Sequence, residues 1–194
     1  KVASAELSAA LSDTRPRLAT ATLLRGAPPR TVANFALYYR AIGFDSVYLF
    51  FDAPHEDGAA MESVRGMEGV IVIECTDAYW KEQRKTNSFF KRSSSNDSKH
   101  SESYTCSVEH FDKGDVQARQ CAAIQDGIGR ARADGIDWLL HVDIDELWYS
   151  PLESVQRDGA AAFFAAVHPS VSQLCFLNHE AVPPQPHTDG DGDG

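Results

Sequence analysis

Four short apolar runs, each closed by a carboxylate or a turn, constrain the fold of this chain more than anything else in it: "RLATATLL" (17–24), "SVYLFFD" (46–52), "GVIVIE" (69–74) and "WLLHVD" (138–143). Such runs, apolar with little alternation and bounded by turn residues, suit strands covered on both faces. Helical patterns separate them. "TVANFALYYRAIGF" places Val32, Phe35, Ala36 and Tyr39 at i, i+3, i+4 and i+7, with Gly43 as a stop. A short helix over Ala59–Met67 and a long one over Asp115–Gly135, with Cys121, Ile124, Ile128 and Ala131 in register, complete the set. The order βαβαβ, insertion, αβ predicts an α/β fold of Rossmann type: a mostly parallel sheet with helices on both faces. In such sheets ligands bind beyond the carboxyl ends of the strands.

One domain is expected over 1–187, interrupted by a polar insertion at about 84–113 whose centre, "KRSSSNDSKHSES", has the composition of a surface or disordered loop. A capping-box-like Ser150-x-x-Glu153 predicts a further short helix, and "SVSQLCFLNHE" (170–180) a further strand. Residues 188–194, "TDGDGDG", form a low-complexity tail whose Asp189, Asp191 and Asp193 read as solvated rather than calcium-binding. The second half of the domain is expected to lie beyond them.

Charge narrows the partners. The chain of 194 residues has 28 Asp and Glu against 18 Lys and Arg, a formal charge of -10, which argues against a nucleic-acid surface. An anionic ligand would need local help, such as a metal ion. No run reaches the roughly 18 apolar residues of a membrane span, and the opening segment lacks the apolar core of a signal peptide. The four cysteines have no CxxC spacing, so zinc-knuckle and thioredoxin-like sites are not expected. Cys121 and Cys175 read as reduced core residues; Cys75 and Cys106 bracket the insertion and could pair in an oxidising compartment.

The chemistry concentrates in "HVDIDELWYSP" (141–151). Strand periodicity points Asp143 and Asp145 to one side at the carboxyl end of the fourth strand, with Ile144 facing away. Two carboxylates this close repel unless a cation or a shared proton relieves them. Oxygen ligands of this kind suit Mg or Mn, which commonly bridges carboxylates to substrate phosphates. A solvated acidic turn is the plain alternative for an isolated DxD; an earlier strand that also ends in a carboxylate, Asp52, speaks for the ligand. An EF-hand does not fit the spacing. His141 shares the side of Asp143 but suits a buried, hydrogen-bonded histidine better than a ligand. Glu146 could support the site or cap the next segment, and Trp148 and Tyr149 could stack on a sugar or base or pack on the core.

The blocks "ANFALYYRAIGFDSVYLFFD", "QARQ", "GIDWLLHVDIDELWYSP" and "CFLNHEAVP", in this order, resemble the family-2-like glycosyltransferases of GT-A fold, in particular the KOBITO-type, DUF23-like subgroup. The resemblance covers roughly half of the chain. It implies that Asp143 and Asp145 hold a divalent metal, Mn or Mg, and that Asp143 also meets the ribose and diphosphate of a nucleotide-diphosphate sugar. Asp52 would read the base, and Arg119 would lie near the nucleotide. Where relatives carry an "NE" pair after the first strand, this chain has "LLRGAPP", so Leu24, Arg25 and Gly26 would contact the nucleotide through backbone groups. His179 and Glu180 are the candidates for a catalytic role.

The expected function is therefore transfer of a sugar from a nucleotide-diphosphate donor to a hydroxyl of a glycan, lipid or protein acceptor. Two alternatives stand beside it: a catalytically silent nucleotide-sugar-binding or scaffold domain, and a metal-dependent phosphohydrolase or nucleotidyltransferase. The location would be the Golgi or endoplasmic-reticulum lumen if an anchor lies outside this segment, and the cytoplasm otherwise.

Overall fold

A computed structural model describes residues 15–92 and 108–180. Strands β1 (Leu18–Leu24), β2 (Ser46–Phe51), β3 (Val70–Glu74) and β4 (Trp138–His141) form an all-parallel sheet in the order β3-β2-β1-β4. The central strands carry the apolar runs: Leu18, Ala19, Ala21, Val47, Leu49, Phe50 and Phe51 are fully buried. Burial of both faces is what an all-parallel sheet requires, because its crossovers lay helices on each side. The α/β, Rossmann-like expectation is met.

One face is covered by α1 (Pro29–Ala41), whose Val32, Phe35, Ala36 and Tyr39 pack with Leu18, Val47, Leu49 and Phe51 as the periodicity predicts. Helix α2 (Gly58–Glu62), shorter than the predicted Ala59–Met67, adds Ala60 and Met61. The chain after Glu62 turns instead, with Val64 buried in the same core.

The other face carries α3 (Asp77–Thr86), α4 (Ser88–Arg92), α5 (Val108–Asp112) and α6 (Val116–Ala133). Part of the stretch assigned to a polar insertion is thus ordered helix, because Phe90 and Phe111 join Trp80 in a buried aromatic cluster that anchors it to the sheet. Its centre, 93–107, lies outside the described residues, as does 181–194 with the low-complexity tail.

Helix α6 differs in its face from the predicted register. Ala118, Ala122, Ala123, Gly127 and Ala131 are buried, while Ile124 and Ile128 flank the stripe half-buried. Close approach is the reason: a Cβ on Gly127 would stand 3.1 Å from the Cβ of Ala21 in β1. Small residues let the helix axis lie near the sheet, and bulky ones fill the edges.

One further expectation fails, and another, the short helix after Ser150, is met without its cap. Residues 171–180 form no strand; they run as an irregular segment beside the β4 exit, with no ladder partner among the described residues. Helix α7 (Glu153–Asp158) starts without a side-chain cap, because Ser150 is buried and its hydroxyl instead accepts the Leu152 N–H at 3.4 Å. It is followed by α8 (Ala160–Ala165). The cysteines also pair differently from expectation. Cys121 is disulfide-bonded, whereas Cys75 is free and buried and Cys175 free and exposed. Cys75 sits in the apolar layer beneath the sheet edge, and Cys106 lies outside the described residues.

Candidate functional site at the carboxyl edge

Registers Leu24↔Phe51 and Phe51↔Glu74 align the ends of β1, β2 and β3 at one level, and a cleft of about 690 Å³ opens just beyond them. Leu24, Arg25, Asp52 and Arg119 all line it, together with Cys75, Thr76 and Asp77. The order β3-β2-β1-β4 means that the chain leaves β1 first to one side and later returns to the other, so the topological switch point lies between β1 and β4.

Asp52 follows β2 directly and is held by Arg119 of α6. The guanidinium meets it in a forked contact, Nε to Oδ1 at 2.7 Å and to Oδ2 at 2.9 Å, and Nη2 to Oδ1 at 2.6 Å. Its Cζ lies over the Trp80 and Phe111 rings, 5.0 and 5.1 Å from their centroids, and these two rings pack edge-on against each other at 5.0 Å. Cation and carboxylate are largely shielded from water, at 20% and 9% side-chain exposure, so each compensates the other's desolvation. Burial pushes the neighbouring Cys75 thiol far up, reinforced by the charge of Asp52, which disfavours its thiolate form.

Arg25, which also lines the cleft, is paired as well, Nη2 to Glu56 Oε1 at 3.0 Å. Gly26, at φ +67°, donates its N–H to Asp57 Oδ1 at 2.8 Å, and the Leu24 carbonyl accepts the Asp52 N–H at 2.9 Å. The expected backbone contacts from Leu24 and Gly26 are thus partly spent within the protein. Both arginines lining the cleft are already neutralised, so they bring little net positive charge to a diphosphate.

The DxD segment has a geometry that strand periodicity does not describe. Pairing of β4 stops at His141 opposite Ala21, whereas β1 continues to Leu24. Thr22 Oγ1 then donates to the Val142 carbonyl at 3.0 Å, and the next residues turn out of the sheet. Asp143 to Glu146 form a turn closed by the Glu146 N–H on the Asp143 carbonyl at 3.1 Å, and the Glu146 carboxylate accepts the Asp143 N–H at 3.0 Å. Asp143 and Asp145 therefore lie on one exposed turn rather than on one face of a strand. They do not line the cleft, but α6 connects the two places: Arg119 reaches Asp52, and the next residue, Gln120, donates to Asp143 Oδ1 at 2.5 Å.

Behind the turn, Tyr39 of α1 donates its hydroxyl proton to the Glu146 carbonyl at 3.2 Å and accepts the Trp148 N–H at 3.0 Å. Tyr38 donates to the Trp148 carbonyl at 2.6 Å. Burial, with the nearby Tyr38 and Glu146, pushes the Tyr39 phenol up to about 12, against the lowering effect of its Trp148 backbone bond. Trp148 is buried against Phe163 and Phe164, while Tyr149 is 71% exposed. His141 is exposed instead of buried; its Nδ1 lies 3.1 Å from the Ala21 carbonyl, because β4 is an edge strand with no neighbour on its outer side among the described residues. Asn178 donates to Glu146 Oε1 at 2.7 Å and ties the 171–180 segment to the turn. His179 and Glu180, the next two residues, are exposed and make no hydrogen bond or ion pair among the described residues.

The donor set fits a hard divalent cation in part. Glu146 is spent on Asp143 and Asn178, whereas Asp145 has no protein partner and Asp143 retains one carboxylate oxygen among the described residues. No three His, Cys, Asp or Glu side chains among the described residues converge as a full protein cage would. Two carboxylates completed by water and diphosphate oxygens are the set that Mg or Mn takes at nucleotide sites. Gln120, Asn178 and Tyr39 are the site residues that sequence reasoning missed. Gln120 sits inside the "QARQ" block and Asn178 directly before "HE", so position was their only signal.

No protein-family model, curated protein or solved structure matches the chain. Among the described residues no helix is long and apolar enough to cross a membrane.

Proposed function

We propose that the chain binds a nucleotide-diphosphate sugar at the carboxyl edge of its sheet, with a divalent metal at Asp143 and Asp145, and transfers the sugar to an acceptor hydroxyl in the manner of the GT-A glycosyltransferases it resembles. One observation carries this reading. Consecutive residues of α6 hold two aspartates, Asp52 beside the cleft and Asp143 at the switch point, as a ligand with a base at one end and phosphates at the other would need.

In this reading Asp52, already neutralised by Arg119, offers its remaining lone pairs to the N–H groups of a base, a task for a hydrogen-bond acceptor rather than for a free charge. Trp80 and Phe111 fix the arginine and thereby the acceptor. Asp143 and Asp145 supply the uncompensated negative charge that draws the cation. The metal would offset the charge gathering on the departing diphosphate. The turn is held rigidly by Tyr39, Thr22 and Glu146, so little reorganisation accompanies binding. The disulfide at Cys121 suits the lumenal location among those considered.

The unpartnered placement of His179 and Glu180 supports a second reading, a domain that holds the donor without turning it over. Incubation of nucleotide sugars with Mn, with mass analysis of the products, separates the possibilities. Nucleoside diphosphate release supports the transferase. Binding without turnover supports the silent domain, and nucleoside monophosphate release points to a phosphohydrolase.

A further inference from the structure

Gln120 donates from Nε2 to Asp143 Oδ1 at 2.5 Å, while the Asp143 N–H is taken by Glu146 Oε2 and Glu146 Oε1 is taken by Asn178. The four residues form one chain of hydrogen bonds drawn from α6, the β4 exit and the 171–180 segment. Asp143 is thereby fixed at its backbone and at one of its two carboxylate oxygens. The identity of the donor matters. A lysine or arginine at position 120 would fix the carboxylate equally well but would also neutralise it, as Arg119 does with Asp52. An amide is neutral, so it orients the carboxylate and leaves the charge for another cation. Outer partners of metal-bound carboxylates act in this way, and their loss typically costs about 10–100-fold in metal affinity.

We infer that Gln120 is a positioning residue, which presents the second oxygen of Asp143 to a divalent cation while keeping its charge intact. The inference rests on the metal reading of the DxD turn. It makes the adjacent pair Arg119–Gln120 a divided device: the charged member compensates the carboxylate at the cleft, and the neutral member spares the carboxylate at the metal. Side chains of consecutive helix residues diverge by about 100°, which is why one helical turn can serve two sites.

The test is titration of Mn(II), monitored by electron paramagnetic resonance of the free ion, in wild type, Gln120→Ala and Gln120→Lys, with thermal melts of each. Gln120→Ala should bind Mn about 10–100-fold more weakly at an unchanged melting temperature. Gln120→Lys should keep a hydrogen bond to Asp143 and yet bind Mn at least as poorly, because its ammonium competes for the same charge. A purely structural role predicts the opposite pattern, with metal affinity preserved in the lysine variant. Wild-type Mn binding with affinity unchanged in both variants would overturn the inference alone. Absence of Mn binding in the wild type would overturn the metal reading beneath it.

Discussion

The ends of β2 and β4 present the same residue type in opposite electrostatic conditions. Asp52 is nearly buried and pinned by a guanidinium that lies over the Trp80 ring, and Asp145 stands on an exposed turn with no partner among the described residues. A carboxylate whose charge is already cancelled can still recognise hydrogen-bond donors, but it contributes little to holding a cation. One left uncompensated beside a second carboxylate has the reverse properties. Two strand-end aspartates that look alike in sequence are therefore a compensated carboxylate at β2 and an uncompensated one beyond β4, the difference on which the proposed acceptor and cation roles rest.

Stability should show the contrast most strongly. Arg119→Ala leaves the shielded Asp52 charge unpaired and should cost about 3 kcal/mol in urea unfolding. Loss below about 0.5 kcal/mol would show that the pair is solvated and the contrast false. Tyr39→Phe should cost about 1–2 kcal/mol, because the buried Trp148 N–H loses its acceptor. It should also weaken Mn binding by loosening the turn, which a calorimetric titration would register. The same phenol sets an alkaline limit. Its pKa is higher in the fold than in the unfolded chain, so its contribution to stability is intact below pH 10 and drains as pH passes from 10 through about 12. Melting temperatures of wild type should fall over that interval more steeply than those of Tyr39→Phe. The smallest structural effect belongs to Asp145→Ala, whose stability should stay within about 0.5 kcal/mol of wild type.

The strands and α1 were legible because burial on both faces writes itself as uninterrupted apolar sequence and burial on one face as period 3.6. The face of α6 was not, since packing close to Ala21 selects small residues, and Gly127 or Ala118 carries no hydrophobic signal of its own. The 170–180 stretch has strand composition but finds no ladder partner among the described residues, and tertiary context overrides propensity there. Asp52, Arg119, Asp143 and Asp145 could be singled out from position and resemblance. Which side chains pair could not be read, because Arg119 and Asp52 lie 67 residues apart and Gln120 and Asp143 lie 23 apart. The turn at Asp143–Glu146 also escaped period-two reasoning, which fails one residue after the ladder ends at His141.

If the DxD turn recruits a divalent cation for a diphosphate ligand, nucleotide affinity must depend on both the cation and Asp145. Calorimetric titration of a nucleoside diphosphate, with and without Mn, into wild type and Asp145→Ala measures that dependence. Binding should require Mn in the wild type and be lost in the variant, at unchanged melting temperature. Equal nucleotide affinity in the two proteins, or affinity indifferent to Mn, would contradict a cation site at the turn.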